Sequence, residues 1–247
     1  MLDDYKLENI LFLDIETVPA YAGFEDVPEV FRKLWDKKSS NFRNDEESAS
    51  DVYQRAGIYA EFGKVVCISC GIIVLRDQKK FFRLKSFYGD DEKQILLGFN
   101  GMLLKFASNR KVQLCAHNGK EFDFPFLARR MLVNQIALPE ILDIAGKKPW
   151  EVNFLDTLEL WKFGDYKHYT SLELLTNLFG IPSPKDDIDG SQVADVYYKE
   201  KDIGRIAAYC EKDVVALTQL FLRYKGESLI EDENIQSVSN FSMEQYS

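Results

Sequence analysis

The sequence predicts an α/β protein folded as one domain. Two observations carry this reading. The chain has 247 residues, 46% of them apolar, which is enough for one sizeable core. Short β-rich apolar runs also alternate along it with longer runs spaced as helices.

Residues 9–16, within "NILFLDIETVPAY", read as a first strand. "VPEVFRKLWDKK" places Val27, Val30, Phe31, Leu34 and Trp35 at helical spacing. The polar "SSNFRNDEESAS" reads as a loop, and "DVYQRAGIYAEF" as a short helix with Val52, Tyr53 and Ala56 on one side. "KVVCISCGIIVL" and "FFRLKSFYG" read as neighbouring strands joined by the turn-like "RDQKK". A helix follows through "EKQILLGFNGMLLKFASN". "VQLCAHNG" is a short buried strand that ends at His117–Asn118–Gly119. The helix "FDFPFLARRMLVNQ" starts just beyond, with Pro125 tolerable only near its N-terminus. "VNFLDTLELW" is a mixed apolar stretch with no clear period. In "TSLELLTNLFG", Thr170 with Glu173 fits a capping box and Gly180 a natural stop. "DIGRIAAYCEKDVVALTQLFLRY" is a long closing helix. Residues 1–225 thus read as the domain, with 20–62 an elaboration between the first two strands. Residues 226–247 read as a polar tail, either frayed or docked elsewhere.

Thirty-one basic against 40 acidic residues give a formal charge of −9. Such a chain is no general polyanion binder, so any nucleic-acid contact must be local or assisted by metal. Cys67 and Cys70 stand at an odd offset on a strand and point to opposite faces, a poor redox or zinc arrangement. With Cys115 and Cys210 they read as core residues of a protein from a reducing compartment. The N-terminus has no basic and apolar leader, and no run approaches ~18 apolar residues, so the expectation is cytoplasmic and not membrane-bound.

The first strand poses the main question, because Asp14 and Glu16 break its apolar run. Two residues apart on a strand, roughly 6.6 Å between Cα atoms, they share one face. Asp123 opens a helix that leaves a strand end, and Tyr209 and Asp213 stand four apart on the last helix, hence on one face. Each feature alone has a bland explanation: a solvated strand edge, an acid complementing a helix dipole, a surface acid beside a tyrosine. Four carboxylates brought together from three elements would repel and raise one another's pKa values. Divalent cations remove that conflict, and hard oxygen ligands suit Mg²⁺ or Mn²⁺.

"FLDIETVP", "HNGKEFDFPFL" and "YCEKDVVALTQLF", in that order, resemble the three motifs of the DEDD family of 3′–5′ exonucleases. The tyrosine four before the last aspartate resembles its DEDDy branch. The likeness, from about residue 8 to 225, is to the proofreading exonuclease domain of family B DNA polymerases. The segment around "TSLELLTNLFGIPSPKDDIDGSQVADVYYKE" is similar to stand-alone bacterial relatives of that domain. The resemblance implies a ribonuclease H-like fold with a central mixed β-sheet flanked by helices. It implies two divalent metals bound by Asp14, Glu16, Asp123 and Asp213, with Asp14 bridging them. Tyr209 would hold the attacking water, and Asn118 and Phe122 would lie near the 3′-terminal nucleotide. Thr17, directly after the acid pair, and Lys185, in the turn "SPKDD", are the further candidate substrate contacts. Phe122 is as readily a core residue, and Lys185 is favoured among basic residues, Arg130 included, that could border a cleft. His117 is expected to pack at its strand end.

The expected function is hydrolysis of phosphodiester bonds from the 3′ end of single-stranded DNA, releasing nucleoside monophosphates. RNA stands second, since the motifs do not select the sugar. A metal-free nucleic-acid-binding module is the alternative from another class. Glycoside cleavage by paired acids would leave Asp123 and Asp213 unexplained. No polymerase domain is expected after residue 226, which leaves a polymerase or repair partner open.

Overall fold

Six strands form one mixed sheet in the computed structural model, which describes residues 2–108, 111–165, 169–182 and 188–239. The strands are β1 (Ile10–Pro19), β2 (Gly63–Arg76), β3 (Lys79–Tyr88), β4 (Gln113–Ala116), β5 (Leu155–Asp156) and β6 (Ile235–Ser237). Their order is β5-β4-β1-β2-β3-β6. β1, β2 and β3 form an antiparallel meander; β4 runs parallel to β1, β5 to β4, and β6 to β3. Helices α1 (Glu29–Ser39), α2 (Glu92–Ala107) and α3 (Asp123–Val133) precede β5. After it come α4 (Thr157–Lys162), α5 (Leu172–Leu178), the single turn α6 (Val193–Asp195) with a π turn over Val196–Glu200, and α7 (Ile203–Lys225).

The alternation of side chains along β1 divides the core into two layers. Leu11, Leu13 and Ile15 pack with Leu96 and Phe99 of α2 and Phe124 and Leu127 of α3. Ile10 and Phe12 point the other way, against Val214, Leu217 and Phe221 of α7. Val18, on that same face, meets Ile206, Ala207 and Cys210. Asp14 and Glu16 interrupt this second series, so both acids face α7. Cys67 and Cys70 lie in different layers, and all four cysteines are free and buried.

Four details differ from the sequence reading. The expected helical face of α1 is not buried: Val30, Phe31 and Leu34 are exposed, and the helix packs through Trp35. Trp35 centres a satellite core with Val27, Val52, Tyr53 and Ala56, and its indole N–H donates to the Ala49 carbonyl at 2.8 Å. Residues Tyr53–Ile58 form a 3₁₀ turn rather than an α-helix. The untyped "VNFLDTLELW" holds a strand of two residues followed at once by α4, too short a strand for periodicity to show. Ser171, not Thr170, caps α5, accepting from the Leu174 amide at 3.2 Å.

The described part of the segment after Gly226, up to residue 239, docks. Gln219 of α7 brackets Ile230, donating to its carbonyl at 2.7 Å and accepting from its amide at 3.0 Å. The buried Glu211 carboxylate accepts from the hydroxyls of Ser86, Ser237 and Ser239 at 2.7, 2.9 and 2.6 Å. β6 is thereby fastened to the β3 edge.

Candidate active site

The site forms where β1 passes beneath α7 beside the start of α3. A bulge between Glu16 and Thr17 shifts the β1–β2 register just after the acid pair, a device that re-aims side chains. The Thr17 hydroxyl donates to the Gly57 carbonyl at 2.8 Å, tying β1 to the 3₁₀ turn. Cys210 of α7 donates its thiol to the Asp14 carbonyl oxygen and to Asp14 Oδ2, both at 3.4 Å. The ligand-type atoms of Asp14, Glu16 and Cys210 lie within 4.8 Å of one another. From sequence, Cys210 reads only as a core cysteine. Its thiol pKa is raised, first by burial, which keeps it a proton donor that orients Asp14.

Asp123 and Asp213 lie close enough to act on this pair through their charges. The Asp14 pKa is raised well above the ordinary value, by burial and then by the charges of Asp123 and Asp213. That of Glu16 is raised by burial, then by Asp14 and Asp213. Asp123 is pushed up to about 7, chiefly by burial; hydrogen bonds from its own amide and from that of Ile15 hold it lower, and Asp156 raises it. Its Oδ1 is buried without a hydrogen-bond partner. Tyr209 hydrogen-bonds Asp213, and burial followed by the charges of Asp213, Glu16 and Asp14 keeps its phenol protonated. Thus Asp14, Glu16, Asp123, Tyr209 and Asp213 come together.

The loop that delivers Asp123 is held by a residue with no evident sequence signal. Asp156 ends β5, is 2% exposed, and clamps the turn after β4. Its Oδ1 accepts from the amides of Asn118, Leu158 and Glu159 at 3.0, 3.0 and 3.3 Å, and its Oδ2 from Lys120 at 3.0 Å. One carboxylate therefore caps α4 and fixes residues 118–120. Asn118 takes a left-handed φ of +62° there, which asparagine tolerates. Gly119 has no room for a side chain: a Cβ would come within 2.4 Å of that of Ala116.

The substrate-contact candidates fare differently. Asn118 lies on the clamped turn. Phe122 is half-buried, packed on the core and on Phe126 with ring centroids 5.5 Å apart. Arg130 is engaged by Glu92 at 2.6 Å and by the Ala60 carbonyl at 2.9 Å. Lys185 lies outside the described residues. His117 packs at its strand end, with Nδ1 2.9 Å from the Thr157 hydroxyl and Nε2 2.9 Å from the Thr170 carbonyl.

With this geometry, comparison with known proteins is informative. A family model described as a predicted 3′–5′ exonuclease related to the exonuclease domain of PolB matches residues 58–241. The chain belongs to this exonuclease family. The match takes in Asp123, Tyr209 and Asp213, while Asp14 and Glu16 precede it. No curated protein matches the chain. Among solved structures, the chain is similar to the family B DNA polymerase of the hyperthermophilic archaeon Pyrobaculum calidifontis, with a TM-score of 0.50 and 16% identity. The likeness covers 87% of this chain and 24% of the polymerase, and it establishes the ribonuclease H-like fold of this exonuclease-family chain.

Proposed function

We propose that the chain hydrolyses phosphodiester bonds from the 3′ end of single-stranded DNA, releasing nucleoside monophosphates with the help of bound divalent cations. The observation that carries this is the mutual crowding of Asp14, Glu16, Asp123 and Asp213, each buried or half-buried and three of them with raised pKa values. The residues fit such ions. Every acid offers hard oxygen, the Asp123 Oδ1 lacks a protein partner, and the nearby Cys210 sulfur keeps its proton. Asp14, Glu16, Asp123 and Asp213 would be the ligands. Bound there, divalent cations neutralise the cluster, favour ionisation of the attacking water and stabilise the departing 3′ oxygen.

The protein's own groups supply position. Tyr209 donates a hydrogen bond to Asp213 and keeps its proton, leaving the phenolic oxygen to accept from a water and aim it. A phenol held protonated does not act as the base. Cys210 fixes Asp14 from the α7 side, and Asp156 fixes the turn that carries Asn118 and leads into Asp123. Water adds its oxygen to phosphorus as the bond to the 3′ oxygen of the preceding nucleotide breaks. The products are a 5′-monophosphate and a strand one nucleotide shorter, whose new 3′ hydroxyl takes up the proton.

Polarity and substrate class are tested together with matched DNA and RNA strands in Mg²⁺, 5′-labelled when open or 3′-phosphorylated and internally labelled when circular. The proposal expects the open DNA strand to shorten stepwise from its 3′ end, while the blocked strand and the circle survive. Rapid cutting of the circle would show an endonuclease, and faster loss of the RNA would assign the site to RNA.

A further inference from the structure

Tyr169 is an exposed aromatic beside the acid cluster that the reading above leaves without a task. It is 61% exposed, and its ring stands edge-on to His117, centroids 5.9 Å apart and planes at 75°. His117 directly precedes Asn118 on the clamped turn that leads to Asp123. Partial burial raises the Tyr169 pKa, and the charges of Asp123, Asp14, Asp156 and Asp213 raise it further, in keeping with its place beside the turn that leads to Asp123.

The segment is held in place from both sides. The Thr170 carbonyl can only accept, so His117 Nε2 carries the proton at 2.9 Å, and Nδ1 accepts from the Thr157 hydroxyl. Burial lowers the His117 pKa, in keeping with this neutral form. On the other side Ser171 caps α5. The contact with His117 uses the ring of Tyr169 edge-on to the imidazole rather than stacked on it, and most of the side chain is left to solvent. A fixed aromatic costs little ordering on binding. In a chain of charge −9, stacking supplies affinity for a single strand where electrostatic attraction is weak.

We infer that Tyr169 is a stacking platform for a nucleobase flanking the scissile phosphate, and that His117 is the positioning residue that holds it there. The inference rests on the exonuclease reading and adds a base contact to it.

The experiment crosses the protein with the substrate. Steady-state kcat and KM are measured in Mg²⁺ for wild type, Tyr169→Leu, Tyr169→Phe and His117→Ala. The substrates are a DNA oligonucleotide with all its bases and oligonucleotides abasic at the 3′-terminal or the penultimate nucleotide. Stacking of this kind should be worth roughly ten- to a hundredfold in KM, with a smaller change in kcat. Tyr169→Leu should lose that factor on the intact strand. On a strand lacking the stacked base it should equal wild type. Tyr169→Phe should keep the wild-type pattern, and His117→Ala should lose part of the base-dependent term. The inference is overturned if Tyr169→Leu has an unchanged KM, if its loss is the same on both abasic strands as on the intact one, or if Tyr169→Phe is as poor as Tyr169→Leu. Wild type inactive on the intact strand would instead overturn the exonuclease reading.

Discussion

In the proposed mechanism Tyr209 would supply position and Asp213, one helical turn on, charge neutralisation. The Tyr209 hydroxyl bonds Asp213 and its pKa is raised, so it would orient a water without ionising. Losing one such hydrogen bond costs about 1–3 kcal/mol, or roughly ten- to a hundredfold in rate. Tyr209→Phe should therefore slow single-turnover cleavage by about that factor while the Mg²⁺ concentration for half-maximal rate stays close to wild type. Asp213→Asn should shift that concentration upward and cost more in rate. If Tyr209→Phe matches wild type at saturating metal, the tyrosine is a packing residue.

At the scale of elements, one residue fixes each junction that matters. Asp156 joins the turn after β4 to the start of α4 through four backbone amides. Asp156→Ala leaves those N–H groups, one of them buried and three partly buried, without their partner, so we expect about 2–4 kcal/mol of lost stability in urea unfolding. Activity should fall even in the fraction that remains folded, because Asp123 sits at the end of the same turn. A variant with wild-type stability and activity would remove Asp156 from the account. Glu211 plays the corresponding part at the other sheet edge. Glu211→Ala removes the acceptor shared by the hydroxyls of Ser86, Ser237 and Ser239, with an expected loss of about 1–3 kcal/mol. Amide exchange should then speed up in β6 before it does in β1, and protection unchanged in β6 would contradict the docking role.

These junctions also show what the sequence could reveal. Asp14 and Glu16 were legible because they violate an apolar alternation that the strand otherwise keeps, and Tyr209 and Asp213 because they sit four apart on an unmistakable helix. Asp156 was not, since it lies in an untyped stretch and two of its four amide partners, those that make it a clamp, are 36 and 38 residues away. Cys210 was read as core, which its burial bears out; its thiol contact with Asp14 depends on how α7 lies across β1. The α1 face misled because helical spacing shows which residues share a side, not that another element covers it. Tyr169 lay unnoticed because an aromatic near a helix start is ordinary until its neighbours are known.

For the molecule as a whole, the acid cluster is a stability cost that metal should remove. Asp14, Glu16 and Asp123 have folded pKa values above their unfolded ones, first through burial. The folded state then binds more protons than the unfolded state above the ordinary carboxylate range, so stability is present at low pH and lost as pH rises through the folded values, about 7 for Asp123. In chelator, the Tm difference between Asp14→Ala and wild type should therefore move in favour of the variant as pH rises from about 5 to about 8. Mg²⁺ should raise the wild-type Tm, most strongly at the upper end of that range. A difference that stays flat with pH, with no effect of Mg²⁺, would contradict the crowding argument.

The most direct measurement follows a 5′-labelled single-stranded DNA oligonucleotide over time with wild type and with Asp14→Ala, each in Mg²⁺ and in excess chelator. The account predicts a ladder shortening from the 3′ end only for wild type in Mg²⁺. The variant should show well under about a tenth of that rate, a barrier increase beyond ~1.4 kcal/mol. Undiminished shortening by wild type in chelator, or by Asp14→Ala in Mg²⁺, would contradict catalysis by metal held at these four carboxylates.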